Sequence, residues 1–153
     1  MKLEILPFSF LYLDSFLYKG VEREFFDSEE AVRQVIEERA NRKGIALMGL
    51  YNEEPLFYMG IYFISSQVGE AWIFLNPSPP KLKITVSRII HKTMYHWAKR
   101  LNLVRLQALC LPIVKTERFL EFLGFNYEAT LCKYYEGTTD ALIYAIIWEE
   151  RCH

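Results

Sequence analysis

The sequence predicts an α/β protein with a mixed central sheet and helices on both of its faces. A helical pattern over residues 81–102 separates two apolar runs, residues 70–75 and 103–111, which are typical of strands. A short amphipathic helix over residues 117–123 follows, and Gly124 ends it. Strands that a helix separates are expected to lie parallel, joined by a right-handed crossover.

The N-terminal segment is predicted to form a strand and a helix. Charged and apolar residues alternate over residues 1–6, which indicates a strand that Pro7 ends. Residues 8–18 are rich in aromatic and apolar side chains, and a helix is predicted there. The apolar face of this helix would carry Phe10, Leu13 and Leu17, opposite Ser9 and Asp14.

A second helix is predicted after a connector. Asp27 and Glu30 have the spacing of a capping box, and Gly44 is placed where a C-cap glycine would end the helix. Apolar residues repeat at helical spacing between them. They are Val32, Val35, Ile36 and Ala40.

Three strands are predicted before the long helix. Residues 45–51 and 56–64 form a hairpin by the turn chemistry of residues 52–55, and residues 70–75 form the next strand. Prolines then prevent a continuing central strand. The long helix is expected to bury Ile90, Met94, Trp97 and Leu101 and to expose Arg88, Lys92, His96 and Lys99.

Residues 125–135 and 140–148 predict the last two strands, and residues 149–153 a tail. The predicted order is therefore β-α-α-β-β-β-α-β-α-β-β. No repeat and no long linker interrupts it, so a single domain over residues 1–153 is expected.

The composition excludes several classes of protein. The net charge of −1 gives no general attraction to nucleic acid or acidic lipid, and no apolar run is long enough to span a membrane. The first residues predict no signal peptide. Cys110, Cys132 and Cys152 are widely spaced and indicate reduced thiols in a cytoplasmic protein. His91 and His96 lie on different faces of a helix, so no metal site is predicted.

A ligand is expected where the strand over residues 70–75 gives way to the long helix, because α/β folds bind ligands at such junctions. The junction has the sequence Leu-Asn-Pro-Ser-Pro-Pro-Lys-Leu-Lys over residues 75–83. Ser78, Lys81 and Lys83 are its candidate anion-binding residues.

The element order, together with two local patterns, resembles the GNAT fold of the Gcn5-related N-acetyltransferases. Residues 118–125 end in leucine-glycine-phenylalanine, and residues 127–145 are similar to the family's terminal hairpin. The triplet over residues 118–120 looks closer to small GNAT-like proteins of tailed bacteriophages. The resemblance implies acetyl transfer from acetyl-coenzyme A (acetyl-CoA) to an amine acceptor, with a host protein in a host cytoplasm as one candidate.

The resemblance also implies where the coenzyme binds. In the family it wedges between the fourth and fifth strands, held by the backbone of the fourth strand and by a loop before the next helix. The cofactor-binding residues would be Phe74, Leu75, Asn76, Ser78, Lys81 and Lys83. Glu70 opens the fourth strand, where some family members place a base, but the simpler interpretation is a solvated strand edge. No catalytic residue is assigned.

The chain departs from the family pattern at three places, the first of which is Ile113, at the position of a frequent asparagine in the crossover before the last helix. No glycine occurs between Gly69 and Gly124, and Leu120 occupies the position of a frequent proton-donating tyrosine. An alternative hypothesis is therefore a weak or silent GNAT-fold protein that docks onto a host enzyme or virion component. A homodimer is also expected, because residues 146–148 would form an apolar strand at a sheet edge.

Overall fold

The computed structural model describes residues 2–148, which form a seven-stranded sheet in the order β1-β2-β3-β4-β5-β7-β6. The strands are β1 (Leu3–Pro7), β2 (Gly44–Tyr51), β3 (Glu54–Ser65), β4 (Val68–Leu75), β5 (Arg105–Cys110), β6 (Asn126–Tyr135) and β7 (Thr139–Ile147). The helices are α1 (Glu29–Ala40), α2 (Lys83–Arg100) and α3 (Val114–Phe122), with 3-10 helices at Phe10–Ser15 and Arg23–Phe25.

The sheet is mixed, as the sequence predicts. Strands β1 to β4 form an antiparallel meander, whereas β4 and β5 are parallel and α2 connects them. Strand β7 is antiparallel to both of its neighbours, β5 and β6. Strands β4 and β5, the parallel pair at the centre of the sheet, position the candidate site.

Two apolar cores lie on opposite faces of the sheet, which confirms helices on both faces. The α2-side core includes Val86, Ile90, Met94 and Ala98 of α2 and Leu120 of α3. The α1-side core includes Val32 and Ile36 of α1 and Tyr58, Tyr62, Trp72 and Phe74 of the sheet. Trp97 and Leu101, expected on the buried face of α2, are only partly buried, whereas the four expected polar residues are exposed.

The predicted helix over residues 8–18 is wrong in type and extent. The chain forms a 3-10 helix over Phe10–Ser15, where Ser9 accepts a hydrogen bond from the Leu11 amide. The buried residues of this segment, Leu13 and Phe16, are three apart, which suits three residues per turn. Phe10 and Leu17, expected on the buried face, are 53% and 48% exposed.

Both expected ends of the second helix are shifted. Ser28, rather than Asp27, caps α1, because its side chain accepts a hydrogen bond from the Ala31 amide. Asn41 is the C-cap, and Gly44 instead begins β2 with φ +153°. A Cβ on Gly44 would lie 2.0 Å from the Ile61 carbonyl oxygen, so the neighbouring strand requires a glycine there.

Replacing Gly44 by Ala is expected to lower the free energy of unfolding by about 1–3 kcal/mol, because both the backbone angle and the contact with β3 oppose a side chain. Thermal unfolding measures the change. Gly137→Ala is the matched control, since Gly137 also has a positive φ but open space around it. Equal losses in the two variants would contradict the importance of the close approach.

The expected apolar edge at residues 146–148 is wrong. Strand β7 lies between β5 and β6, and Ile146 is 8% exposed within the sheet. The last strand in the sequence was expected at an edge of the sheet. In the structure β6 occupies that edge, and β7 lies between β5 and β6. The predicted tail over residues 149–153, with Cys152, lies outside the described residues.

Candidate functional site

The two parallel strands at the centre of the sheet separate after three residue pairs. Val68–Glu70 of β4 pairs with Arg105–Gln107 of β5, and no pair follows. Strand β4 stays paired with β3 as far as Leu75, and β5 stays paired with β7 as far as Cys110. A wedge-shaped gap therefore opens towards Asn76, which confirms the expected splaying of these strands.

The backbone of β4 presents unpaired groups to this gap. The Asn76 amide donates to the Leu56 carbonyl of the β3 side, whereas the Gln67 carbonyl accepts from the β5 side. Since successive residues of a strand direct their hydrogen-bonding groups to alternate sides, Ile73 and Leu75 direct theirs into the gap. These groups can bind an extended amide-containing chain in place of the missing part of β5.

The structure places the three predicted coenzyme-binding residues of this strand in different surroundings. Leu75 faces the gap with its backbone, whereas the Phe74 side chain is buried in the α1-side core. The Asn76 side chain accepts from the Lys19 amide at 2.6 Å and donates to the Leu17 carbonyl at 2.8 Å. Asn76 therefore connects the N-terminal segment to the end of β4 through hydrogen bonds. Ile73, whose backbone faces the gap, was not among the residues predicted from the sequence.

The start of α2 follows the end of β4 after seven residues and has the character of an anion site. The Leu82 and Lys83 amides bond to Pro79 and Pro80 carbonyls, but Ile84 and Thr85 amides have no acceptor among residues 2–148. The first turn contains no acidic residue, and no side chain caps it. The exposed amides and the positive end of the helix dipole favour an anion such as a phosphate.

The three predicted anion-binding side chains surround this helix start. Lys81 and Lys83 are exposed, and Ser78 is half-buried. Neither ammonium group forms an ion pair within the described part of the chain. Both lysines are therefore free to contact a ligand phosphate, in a loop whose prolines leave few backbone donors.

Glu70 stands at the point where the two strands separate, and it is half-buried rather than a solvated edge residue. Its carboxylate accepts hydrogen bonds from the Tyr62 hydroxyl and, at 3.0 Å, from Gln107 Nε2. Gln107 in turn accepts from Arg105 at 3.2 Å, and Arg105 forms a bidentate ion pair with Glu128. The hydrogen bonds from Tyr62 and Gln107 hold the Glu70 carboxylate beside the gap.

The tyrosine in this network is held in its neutral form. Burial raises the pKa of Tyr62, and the neighbouring Glu70 carboxylate raises it further. The Arg42 guanidinium lies 4.4 Å from the Tyr62 ring centroid. Tyr62 therefore acts as a hydrogen-bond donor that orients Glu70.

On the α3 side of the gap, none of the described residues Leu120, Tyr144 and Cys110 is placed to donate a proton. Leu120 is 6% exposed and belongs to the α2-side core. The Tyr144 hydroxyl already donates to Glu117 at 2.9 Å, and burial, followed by that carboxylate, raises the pKa of Tyr144. Burial raises the pKa of the Cys110 thiol to about 12, so Cys110 is a buried thiol and not a nucleophile.

Leu120→Tyr is expected to lower the free energy of unfolding by about 1–3 kcal/mol, because a larger polar side chain must enter a packed core. Chemical denaturation measures the loss. Leu120→Met, which nearly conserves volume, is the control and is expected to cost less than about 1.5 kcal/mol. An unchanged stability would show that a tyrosine fits this position, as it does in the GNAT family pattern.

Within residues 2–148 no group of side chains could hold a metal ion, and no helix combines the length and apolarity needed to cross a bilayer.

Solved acetyltransferase structures share this architecture. A GNAT-family acetyltransferase from Bacillus anthracis has a TM-score of 0.68 at 20% identity, over 96% of this chain and 95% of that one. A spermidine N-acetyltransferase chimera of Vibrio cholerae SpeG and hSSAT has a TM-score of 0.70 at 15% identity, over 99% of both chains. The alpha-N-protein acetyltransferase RimL in complex with coenzyme A has a TM-score of 0.68 at 15% identity, over 95% and 93%.

No family model matches the sequence, and no curated protein matches it. The structural likenesses, at 20% identity or less, concern the fold. The chain therefore has the GNAT acetyltransferase fold, as its element order predicted.

Proposed function

We propose that this protein is an acetyl-CoA-dependent N-acetyltransferase that transfers the acetyl group to an amine. The observation that carries the proposal is the gap between β4 and β5, which leads directly to the free amides at the start of α2. A long ligand with amides at one end and phosphates at the other fits this arrangement. Unpaired strand groups would meet its amides, and a helix N-terminus would meet its phosphates.

Named residues would hold the coenzyme. The backbone of Ile73 and Leu75 would bind its amide-containing arm, beside the predicted Phe74 and Asn76. The amides of Ile84 and Thr85, with Ser78, Lys81 and Lys83, would bind its phosphates. When bound, the coenzyme supplies an acetyl group activated as a thioester.

Glu70 is the proposed general base. An amine attacks as its neutral form, so a proton must leave the nitrogen, and the fixed Glu70 carboxylate can take it directly or through one water. Holding the amine and the acetyl group at the same place lowers the barrier further. No residue of α3 needs to donate a proton, because a thiol with a pKa near about 8.5 is a tolerable leaving group.

Calorimetric titration with acetyl-CoA tests this function, followed by a thiol-release assay with polyamines, aminoglycosides, lysine peptides and free amino acids. We expect saturable binding and turnover of at least one amine. Absence of acetyl-CoA binding would reject the proposal and favour the alternative of a GNAT-fold protein that docks onto a host enzyme or virion component.

The proposal extends to the setting of the enzyme. The resemblance of residues 118–120 to phage proteins favours a phage-encoded protein that acts in a host cytoplasm, where a host protein is one acceptor to assay.

The predicted homodimer has lost its original basis, because β7 is internal, and β6 is the exposed edge on that side of the sheet. Light scattering at tens of micromolar decides whether the protein is a monomer.

A further inference from the structure

Gln107 joins the two parallel strands at the point where they separate. Gln107 and Glu70 are the last residue pair of β5 and β4, and Gln107 Nε2 donates to Glu70 Oε1 at 3.0 Å. The Tyr62 hydroxyl of β3 donates to the other carboxylate oxygen, Glu70 Oε2. Each oxygen of Glu70 therefore accepts a hydrogen bond, one from each of the strands that flank β4.

Glu70 and Gln107 stand at the narrow end of the gap. Beyond them β4 and β5 share no residue pair, and the gap widens towards Asn76. The groups of Ile73 and Leu75, proposed above to bind the amide-containing arm of the coenzyme, follow Glu70 along β4 on that wider side. The proposed base is thus held by its neighbours where the gap begins.

The Gln107 side-chain amide has one orientation that suits both of its neighbours. Gln107 Oε1 accepts from Arg105 Nε at 3.2 Å, while its Nε2 faces Glu70. A guanidinium can only donate hydrogen bonds, and an ionised carboxylate can only accept them. Turning the amide over would set donor against donor and acceptor against acceptor, which would lose both hydrogen bonds. Arg105 therefore determines which end of the Gln107 amide meets Glu70.

Arg105 is itself held in a fixed position. Its Nη1 donates to Glu128 Oε2 at 2.8 Å and its Nη2 to Glu128 Oε1, which leaves Nε for Gln107. Arg105 and Gln107 are two residues apart on β5, so their side chains lie on the same face of the sheet. Because Nε does not bind Glu128, the contact that orients Gln107 does not require the Glu128 charge.

We propose that Gln107 and Arg105 are positioning residues of the acetyl transfer, with Arg105 orienting the Gln107 amide and Gln107 directing the Glu70 carboxylate towards the acceptor amine. This inference rests on the proposed function and adds two residues to it. A carboxylate with a donor on each oxygen keeps its remaining lone pairs in fixed directions. It therefore needs no reordering when the amine arrives, which is what orientation contributes to catalysis.

Gln107→Met removes the donor to Glu70 and nearly keeps the side-chain length. Its turnover number is expected to fall roughly 10- to 100-fold, the scale of one lost hydrogen bond to a charged group. The KM for acetyl-CoA should stay the same, because Gln107 is not among the groups proposed to bind the coenzyme. A turnover number equal to that of the wild type would overturn the inference.

Gln107→Glu has nearly the same shape and can still accept from Arg105, but it places a second carboxylate against Glu70. Two neighbouring carboxylates disfavour each other's ionised form, so the loss of turnover should be largest at low pH and should diminish as pH rises. The other charged or titratable groups around Glu70 include Tyr62 of β3, Arg105 of β5 and Arg42 after α1, and all remain in this variant. A loss that is the same at every pH would contradict the direct contact.

A double-mutant cycle tests whether Arg105 acts through Gln107. Arg105→Met is expected to lower the turnover number roughly 3- to 10-fold in the wild type, the scale of one hydrogen bond, but to add nothing in the Gln107→Met background. Losses that multiply would overturn this part of the inference. Arg100→Met and Gln34→Met make the same substitutions at exposed positions of α2 and α1, and they should change neither turnover nor melting temperature.

The orientation of the amide can be measured without turnover, by nitrogen-15 NMR of the side-chain amide groups. The Gln107 signals are assigned by their loss in Gln107→Met. They are expected to move in Arg105→Met and to stay in place in Arg100→Met. Signals that ignore Arg105→Met would show that Arg105 does not orient Gln107.

The outcomes separate this inference from the proposed function. If an amine is acetylated and the Gln107 variants turn it over as fast as the wild type, the acetyltransferase function stands and the inference fails. If the Gln107 signals respond to Arg105→Met but nothing is acetylated, the orientation by Arg105 stands and the acetyltransferase function fails.

Discussion

Replacing Glu70 by Gln is expected to lower the turnover number by roughly 10²- to 10⁴-fold, the range that a general base contributes. Glutamine has nearly the same shape and can still accept from the Tyr62 hydroxyl, but it cannot take a proton from an amine. The affinity for acetyl-CoA should stay the same, because Glu70 lies on the acceptor side of β4 with Tyr62 and not among the gap-facing groups.

The assay compares initial rates of thiol release over a range of pH. We expect the wild-type rate to rise with pH and the variant rate to stay low at every pH. Glu128→Gln is the matched control, since it makes the same substitution at the far end of the network and breaks a partly exposed ion pair that does not contact Glu70. Such pairs contribute about 0–1 kcal/mol, so its turnover should change little. Equal losses in both variants would assign Glu70 a structural role.

The sequence predicted the central parallel pair because its evidence is local. A long amphipathic helix between two apolar runs leaves one common way to join them, and that geometry determines the gap. The order β5-β7-β6 could not be obtained in the same way, because a strand's neighbours depend on contacts distant in sequence. The last strand in sequence was therefore placed at an edge that β6 in fact occupies.

Prediction of the candidate site was limited in the same way, because contacts between residues distant in sequence could not be foreseen. Lys81 and Lys83 could be selected from sequence, because a proline-rich junction before a helix is a recognisable anion site. Asn76 could not be recognised as a fastening residue, since its partners Leu17 and Lys19 are 59 and 57 residues away.

The N-terminal helix was predicted wrongly because aromatic residues were fitted to a helical period of 3.6. The buried Leu13 and Phe16 fit a period of three, and Asn76 holds the chain that follows them. This anchored segment places the Tyr18 ring against Phe74 in the α1-side core.

Reversing the charge of both lysines at the start of α2, Lys81→Glu with Lys83→Glu, is expected to weaken acetyl-CoA binding by roughly 10- to 100-fold. The effect should be large here because the proline-rich loop leaves the Ile84 and Thr85 amides as the free backbone donors at the helix start. Side-chain charge then carries a greater share of phosphate binding than it would in a glycine-rich loop. The new carboxylates would also repel the phosphates at the positive end of the helix.

Calorimetry at two ionic strengths measures this effect. Wild-type affinity should fall as salt rises, and the variant's affinity should depend on salt less steeply or in the opposite sense, because screening weakens attraction and repulsion alike. The control is Lys43→Glu with Lys92→Glu, which changes the net charge equally at exposed lysines away from the helix start. If both double variants bind acetyl-CoA equally well, the phosphates do not lie at the start of α2, and the coenzyme must enter the gap from another direction.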